Sequence, residues 1–319
     1  MAKIPLVYSK NQLAKLIVGD RNHYTPMIER INYCLDNKEK LYVNYKKLCD
    51  DRKQKYCRAM LEPLKSLNKD INQKILSQYD KEMPVYIYGG IGGKNSIGAA
   101  FVHSKYKYNR SYIILDFSKY FEQITFDIVV NSLIKMGIAN KKGAEIIAEL
   151  GCVPKGKEIK KDGEKVIARG FSTSSRLAIF GTLKFFKNLK NLIFKELSGL
   201  HPEISVFVDD ISISFDNINE DIIKNSIEKI ILLATKEGFI FNKSKTKYYC
   251  NIDEIEILGV LVKRGNIEPT KTLKRKINDG FKQLSKAETY KEKKKIYKSI
   301  NGLKQYKKNI INTNSKKEV

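Results

Sequence analysis

The sequence contains few of the residues that form disulfides or structural zinc sites. Its five cysteines stand at widely and irregularly spaced positions, no C-x-x-C pair occurs, and only three histidines accompany them. This pattern argues against both a zinc ribbon and a disulfide framework. Scattered single cysteines are typical of reduced thiols, so we expect a cytoplasmic protein.

Long apolar segments are absent as well. No run of apolar residues is long enough to cross a membrane, and the N-terminus lacks a signal-peptide pattern. With 319 residues, of which 42% are hydrophobic, the chain can bury a substantial core. We therefore expect a globular protein, built as one large domain or two to three closely packed subdomains, without a membrane partner.

Acidic residues are outnumbered by basic ones. The 60 Lys and Arg residues against 35 Asp and Glu residues leave a net charge of +25. More than half of this excess lies in residues 263–319, which contain 18 basic and five acidic residues. Such a charge attracts polyanions, of which nucleic acid is the first candidate. An AT-rich genome also enriches a protein in Lys, Ile and Asn, so charge alone leaves both explanations open.

Hydrophobic spacing predicts interleaved helices and strands, and thus an α+β fold. Four apolar residues recur at helical spacing and should face a core: Leu64, Leu67, Ile71 and Ile75. Five glycines then mark a loop between residues 84 and 98. A long helix capped by Ser172 or Thr173 is predicted next, and another helix should end near Gly238.

Three carboxylates end or join apolar strands. Segment 111–117 (SYIILDF) predicts a buried strand that ends at Asp116, and segment 204–215 (ISVFVDDISISF) predicts two strands with Asp209 and Asp210 at the turn. In the second arm, Ile and Phe alternate with Ser212 and Ser214, so one face should be buried and the other solvated.

The spacing of strands allows these carboxylates to meet. Neighbouring strands lie about 4.8 Å apart, so carboxylates at adjacent strand ends can share metal ions. Two Mg²⁺ ions between such carboxylates are the usual arrangement for in-line phosphoryl transfer. Taken alone, an Asp-Asp pair in a hairpin is more often an ordinary polar turn than a metal site.

Six motifs together resemble those of bacterial reverse transcriptases of the retron, defence-associated and abortive-infection types, which are related to group II intron enzymes. In chain order they are DFSKYFEQI (116–124), GFSTSS (170–175), FVDD (207–210), FNKSKT (241–246), ILGVLV (257–262) and INGLKQY (300–306). The resemblance covers nearly the whole chain. It implies a right-hand polymerase with fingers and palm in residues 1–262, and a short basic helical thumb with a flexible tail in residues 263–319.

The motifs depart from the family pattern at a few positions. Ser172 and Ser175 stand where the family's Gly-x-Pro-Thr-Ser-Pro loop has prolines, and Arg169 stands where a Gln usually precedes the glycine. Phe207-Val208 replaces the commoner Tyr-Ala before the Asp pair. These differences bear on the retron assignment more than on polymerase chemistry.

The resemblance also implies roles at the reaction centre. Asp116, Asp209 and Asp210 are candidate catalytic residues and, with Phe117, candidate ligands of two Mg²⁺ ions, for which Mn²⁺ is an alternative. Lys245 is a candidate for protonating or neutralising the departing pyrophosphate, and a solvated lysine is an equally good interpretation.

Four residues are candidate contacts to the nucleotide: Phe121, Gly170, Arg58 and Phe207. Phe121 is similar to the family's aromatic steric gate, which collides with a 2′-hydroxyl and so selects dNTPs. Gly170 would let the backbone approach the templating pair. Arg58 would grip the triphosphate, with Lys94 as an alternative.

Outside the reaction centre, His103 is interpreted as a packed or surface histidine. Three aromatic residues lie among the lysines of the predicted thumb: Tyr290, Tyr297 and Tyr306. We expect this segment to follow the backbone of a nucleic-acid duplex.

The implied reaction is RNA-directed DNA synthesis, the transfer of dNMP from a dNTP to a 3′-hydroxyl or another priming hydroxyl. The implied partners are a non-coding RNA template, dNTPs and the DNA product, with a role in defence against phage and no attached nuclease, integrase or maturase domain. A second copy of the chain or an effector protein is left open. Two alternatives remain: a template-independent nucleotidyl transferase of the abortive-infection type, and a catalytically silent RNA-binding scaffold.

Overall fold

The N-terminal part of the chain is mostly helical. The structure, a computed structural model, describes residues 6–19, 23–45, 49, 56–157, 163–216 and 219–315. The first elements are α1 (Lys10–Val18), α2 (Tyr24–Asp36), β1 (Tyr42–Asn44), β2 (Arg58–Met60) and α3 (Leu64–Asp70). Irregular helical turns continue α3 to Glu82. The four apolar residues of segment 64–75 are all buried, which confirms their predicted orientation.

A four-stranded antiparallel sheet forms the centre of the molecule, with strand order β6-β7-β3-β8. Its strands are β3 (Arg110–Asp116), β6 (Glu203–Phe207), β7 (Asp210–Phe215) and β8 (Lys247–Ile252). The predicted buried strand is therefore β3, and the predicted hairpin is β6–β7. On one face of the sheet, the apolar side chains of β3 and β7 join those of the helices in the main core.

The other face of the sheet is not solvated, and here the prediction is wrong. Ser212 is 4% exposed and Ser214 is fully buried. The helix α4 (Ser96–Phe101) and the turn after it cover this side, and the ring of His103 lies between two serines. His103 Nδ1 is 2.8 Å from Ser214 Oγ, and Nε2 is 2.9 Å from Ser205 Oγ. Serine alternation therefore marks a buried hydrogen-bonded layer here.

Helices and a small hairpin separate the strands of the sheet. They are α5 (Phe126–Lys135), α6 (Lys141–Gly151), β4 (Cys152–Pro154), β5 (Lys165–Ile167), α7 (Ser174–Glu196) and α8 (Glu220–Lys236). Helix α7 begins after Thr173, as predicted, but the Thr173 side chain does not cap it. Its hydroxyl donates instead to Asn68 Oδ1 at 2.9 Å, which ties the start of α7 to α3.

The C-terminal part forms a second, smaller core. It contains β9 (Glu254–Ile257), β10 (Val260–Lys263), β11 (Asn266–Pro269), α9 (Lys271–Lys286) and α10 (Tyr290–Ser315). Residues 263–269 thus belong to a β-hairpin, and the helical part of the predicted thumb begins at Lys271. The predicted flexible tail is helical to Ser315, and residues 316–319 lie outside the described part of the chain.

The second core also contacts the central sheet. Ile97 and Ala100 of α4 and Tyr112 of β3 belong to it, so α4 lies between the sheet and the C-terminal helices. The Ser96 and Tyr306 hydroxyls, 3.1 Å apart, add a hydrogen bond between α4 and α10. In the described part of the chain, no helix is both long and apolar enough to span a membrane.

Candidate active site

The β6–β7 turn presents two of the candidate carboxylates. Phe207 pairs with Asp210 in the ladder, so only Val208 and Asp209 form the turn. Val208 has φ of 60°, a left-handed conformation that is strained for a β-branched residue. The amides of Tyr88 and Gly89 both donate to Val206 O, at 2.8 and 3.3 Å. A neighbouring loop segment therefore supports this strained turn from the side.

Strand pairing brings the third carboxylate to the same place. Asp116, the last residue of β3, is directly opposite Asp210, the first residue of β7. Residues that face each other in a ladder lie on the same side of the sheet. Asp116 and Asp210 therefore share one corner of the sheet, with Asp209 next to them in the turn.

The pKa values of Asp209 and Asp210 reflect burial first and the crowding of the carboxylates second. Burial raises the pKa of Asp210 to about 6, and the charges of Asp209 and Asp116 act in the same direction. Burial also raises the pKa of Asp209, with Asp116 adding to the rise and Arg169 and Lys245 opposing it. Ionised carboxylates are therefore costly in this corner unless a cation neutralises them.

The corner fits a hard cation in its donor chemistry, because carboxylate oxygens are the ligands that Mg²⁺ prefers. Within the described ranges, no three His, Cys, Asp or Glu side chains form a ready-made metal site. Instead, Lys245 Nζ lies 3.0 Å from both Oδ1 and Oδ2 of Asp116 and supplies positive charge there. A metal ion at Asp116 would have to compete with this ammonium group.

The segment that carries Lys245 is fixed to the end of β3. The amide of Asn242 donates to Asp116 O at 2.8 Å, and the rings of Phe241 and Phe117 stack with centroids 4.6 Å apart. The Phe117 ring is thus part of the core. Only the main-chain carbonyl of Phe117 could serve as a metal ligand.

A glutamine that the sequence did not single out connects two segments of the site. Gln123 donates from Nε2 to Ile240 O at 3.0 Å, and its Oε1 accepts the Ile240 amide at 2.7 Å. Gln123 lies just after Phe121, and Ile240 lies just before the Lys245 segment. Its amide therefore holds the two segments together, and nothing in the sequence pattern indicated it.

Phe121 is half-buried beside the corner. The guanidinium of Arg169 lies over its ring, 5.0 Å from the centroid, and donates to Glu122 Oε2 at 3.2 Å. The ring therefore packs against a charged group that comes from a different part of the chain. Its role as a steric gate stays a prediction.

The structure does not support the predicted role of Arg58. Its side chain is 2% exposed, and it donates to Gly156 O at 2.5 Å and Lys157 O at 3.2 Å. Burial also lowers the pKa of this guanidinium. Because the group is held inside the protein, we no longer assign Arg58 to the triphosphate.

Gly170 has an internal reason to be glycine. Its φ is +105°, and a Cβ would lie 2.5 Å from Arg58 O. The neighbouring Arg169 carbonyl accepts the Arg58 amide at 2.7 Å. The backbone approach that requires glycine is thus to β2, and a further approach to a templating pair stays a prediction.

Lys94 is also used structurally. Its ammonium donates to three carbonyls, those of Pro84, Val85 and Ile87, at 3.2, 3.1 and 2.9 Å. These bonds close the loop that supports the β6–β7 turn. The alternative assignment of Lys94 to the triphosphate is therefore not supported either.

The predicted thumb presents aromatic side chains among its lysines. Tyr290 and Tyr297 are exposed on α10, whereas Tyr306 is half-buried against the second core. In the INGLKQY motif, Ile300 is also buried, so part of the motif is explained by packing. Of the three tyrosines, Tyr290 and Tyr297 are therefore the ones accessible to a ligand.

A comparison with protein families matches residues 52–262 to the family described as reverse transcriptase (RNA-dependent DNA polymerase). No curated protein matches the sequence.

Solved structures of telomerase are similar to the chain. Apo telomerase from Candida tropicalis, truncated from the C-terminal domain, shares 13% identity with a TM-score of 0.44, over 64% of this chain and 45% of that one. Telomerase from Candida albicans, in complex with a TWJ fragment of telomeric RNA, shares 11% identity with a TM-score of 0.48, over 90% of this chain and 59% of that one. The chain therefore spans about half the length of these telomerase chains.

Proposed function

The chain belongs to the reverse transcriptase family and has its α+β fold, and from this premise we propose that it is an RNA-directed DNA polymerase. The observation that carries the proposal is the pairing of Asp116 with Asp210 across β3 and β7, next to Asp209 in the turn. Strands far apart in sequence come together to form this acidic corner. A catalytically silent scaffold has no need of such crowded carboxylates.

Asp116, Asp209 and Asp210 would hold the divalent cations, two Mg²⁺ ions or Mn²⁺ in their place. When bound, such ions lower the pKa of the attacking hydroxyl and stabilise charge on the phosphoryl group. The chain's own task is to hold three carboxylates within one corner. Strain at Val208 is offset by the bonds from Tyr88 and Gly89, so the turn is preorganised.

Lys245 would act near the departing group. Its side chain is 60% exposed, and its ammonium group contacts the Asp116 carboxylate from the solvent side. A polyphosphate entering the corner offers this flexible cation an alternative partner with more negative charge. We therefore assign Lys245 to neutralising the pyrophosphate, with Phe121 as the gate that selects dNTPs and Phe207 as a nearby contact.

We also propose a template and a biological role for the enzyme. The basic C-terminal helices, with Tyr290 and Tyr297 exposed, would hold an RNA–DNA duplex. The motif departures at Arg169, Ser172 and Ser175 leave room for a defence-associated or abortive-infection enzyme. By resemblance to that group, we propose that the enzyme works in the cytoplasm and copies a dedicated non-coding RNA. Its DNA product would be complementary to that RNA.

The test is DNA synthesis on co-purified RNA. The full chain is purified with its bound RNA, supplied with Mg²⁺ and labelled dNTPs, and both product and RNA are sequenced. The double variant Asp209→Asn/Asp210→Asn removes two of the three carboxylate charges of the corner. Asp253→Asn, an exposed aspartate near the end of β8, is the matched control.

Metal-dependent product complementary to the RNA, absent from the double variant and present in the control, would support the proposal. Product unrelated to any RNA present would indicate a template-independent nucleotidyl transferase. If no product forms on this RNA or on a primed generic template, while the RNA still binds, the chain is a scaffold and the proposal fails.

A further inference from the structure

Arg169 occupies an unusual position beside the nucleotide site. Its guanidinium carbon lies 5.0 Å from the centre of the Phe121 ring, and its Nη2 donates to Glu122 Oε2 at 3.2 Å. One side chain thus contacts two consecutive residues of the segment that follows Asp116. Nε of Arg169 is buried and has no hydrogen-bond partner.

The contact fixes the guanidinium in position and orientation. Glu122 and Arg169 are mostly buried, with 13% and 20% of their side chains exposed, so solvent screens their attraction less than on an open surface. A guanidinium is planar and can hydrogen-bond at its edge while its face packs against an aromatic ring. A neutral glutamine offers neither the charge nor this extended plane.

The backbone of Arg169 is anchored as well. Its carbonyl accepts the amide of Arg58 on β2 at 2.7 Å. The following residue, Gly170, has no room for a Cβ against Arg58 O. Arg169 therefore reaches the Phe121 ring from a main chain that is held against β2.

We propose that Arg169 is a positioning residue that holds the Phe121 ring in its gating orientation and so sets the discrimination between dNTPs and rNTPs. The inference rests on the proposed function, because it requires Phe121 to face the sugar of an incoming nucleotide. A ring that can turn away leaves space for a 2′-hydroxyl. A ring covered on one face by an ion-paired guanidinium cannot turn without separating that pair.

The experiment measures kcat/KM for dNTP and rNTP incorporation on a primed RNA template. The variants are Arg169→Gln, Arg169→Lys, Phe121→Ala and the double variant Phe121→Ala/Arg169→Gln. Arg30→Gln is the matched control, because Arg30 is 23% exposed and ion-paired with Asp70 at 3.5 Å on the N-terminal helices. It removes a similar ion pair that touches no part of the gate.

We expect Arg169→Gln to lower the dNTP preference about tenfold, corresponding to about 1.4 kcal/mol, mainly by making rNTPs better substrates. Arg169→Lys should keep more of the dNTP preference than Arg169→Gln does, because lysine keeps the positive charge but lacks the planar guanidinium. Phe121→Ala should abolish the preference, and adding Arg169→Gln should change it no further. Arg30→Gln should discriminate like the wild type.

Three results would overturn the role of Arg169, the proposed function or both. If Arg169→Gln preferred dNTPs over rNTPs as strongly as the wild type does, the role of Arg169 would be disproved, and the proposed polymerase function would be unaffected. The same would follow if Arg169→Gln lowered discrimination equally with and without Phe121, because the effect would not pass through the ring. A wild-type chain that incorporates neither nucleotide would overturn the proposed function, and the inference with it.

Discussion

Gly89 and Val208 are in such close contact that a side chain at residue 89 has no space. A Cβ built on Gly89 would lie 2.3 Å from Val208 N and 2.7 Å from Phe207 C. The clash is with the main chain of the turn that carries Asp209. Gly89, which in the sequence only marks a loop, therefore determines how closely the loop can support the candidate site.

Gly89→Ala should displace the turn and reduce DNA synthesis. A shift of about 1 Å at reacting groups can cost on the order of 10²-fold in rate. The control is Gly302→Ala in α10, where a Cβ meets nothing within 4 Å and helix propensity favours alanine by about 1 kcal/mol. Thermal unfolding and primer extension would be measured for both variants and the wild type. A fully active Gly89→Ala would contradict the proposal that the loop at Gly89 supports the β6–β7 turn.

Removing one charge from the acidic corner should stabilise the metal-free protein. The raised pKa of Asp210 means that its ionised form is disfavoured in the folded state. The contribution of Asp210 to the free energy of unfolding therefore falls as the pH rises from 3.8 through about 6. Asp210→Asn should therefore raise Tm at pH 7.5 by a few degrees, at about 2–4 °C per kcal/mol.

The same experiment tests metal binding. Added Mg²⁺ should raise the Tm of the wild type and have little effect on Asp210→Asn. Asp216→Asn is the control, because Asp216 accepts from the buried Arg110 at 2.5 Å and its loss should lower Tm. A wild type that is insensitive to Mg²⁺ and an Asp210→Asn that melts lower would count against the metal site.

Lys245→Gln should increase the apparent affinity for Mg²⁺ and lower kcat. Lys245 lies 3.0 Å from the Asp116 carboxylate oxygens and competes there with a metal ion. The variant should reach half-maximal activity at a lower Mg²⁺ concentration. Its kcat should fall about 10²- to 10⁴-fold, because the lysine assists the leaving group. Lys243→Gln, two residues away and exposed, should behave like the wild type.

Arg58→Lys should impair folding rather than nucleotide binding. A lysine cannot reproduce both bonds to the Gly156 and Lys157 carbonyls, so a buried charge loses partners at a cost of about 2–4 kcal/mol. Urea unfolding would measure this loss. The KM for dNTP should stay within about twofold of the wild type, and a KM that rises without a loss of stability would restore the triphosphate assignment.

His103 should make stability depend on pH in the acidic range. Burial lowers its pKa to about 3, and the charge of Arg110 acts in the same direction. In the unfolded chain, a histidine has a pKa near 6.5. The stability that the neutral His103 contributes is therefore complete above pH 6.5 and is lost as the pH falls towards 3. The loss should approach about 1.4 kcal/mol per pH unit.

His103→Gln can still bond to both serine hydroxyls without titrating. The free energy of unfolding at pH 7 minus that at pH 5 should therefore be smaller for the variant than for the wild type. Because both proteins share their other titrating groups, the comparison isolates His103. Equal differences in the two proteins would show that the buried imidazole does not control acid stability.

The sequence alone determined the local elements that carry the candidate site. An apolar run ending at Asp116 and two alternating arms around Asp209-Asp210 predict β3, β6 and β7, because side-chain period and turn chemistry are local properties. Strand spacing also allowed carboxylates at neighbouring strand ends to meet. The pairing of β3 with β7, which places Asp116 opposite Asp210, is a contact between distant segments that the sequence did not predict.

Contacts between distant segments were decided only by the tertiary structure. Ser214 is buried because His103 comes from another segment, and the donors of Arg58 are occupied because residues 156–157 fold against it. Arg169 covers Phe121 from 48 positions away in the sequence. A lysine or arginine has the same local pattern whether it binds a ligand or a carbonyl, and only its partners in space distinguish the two.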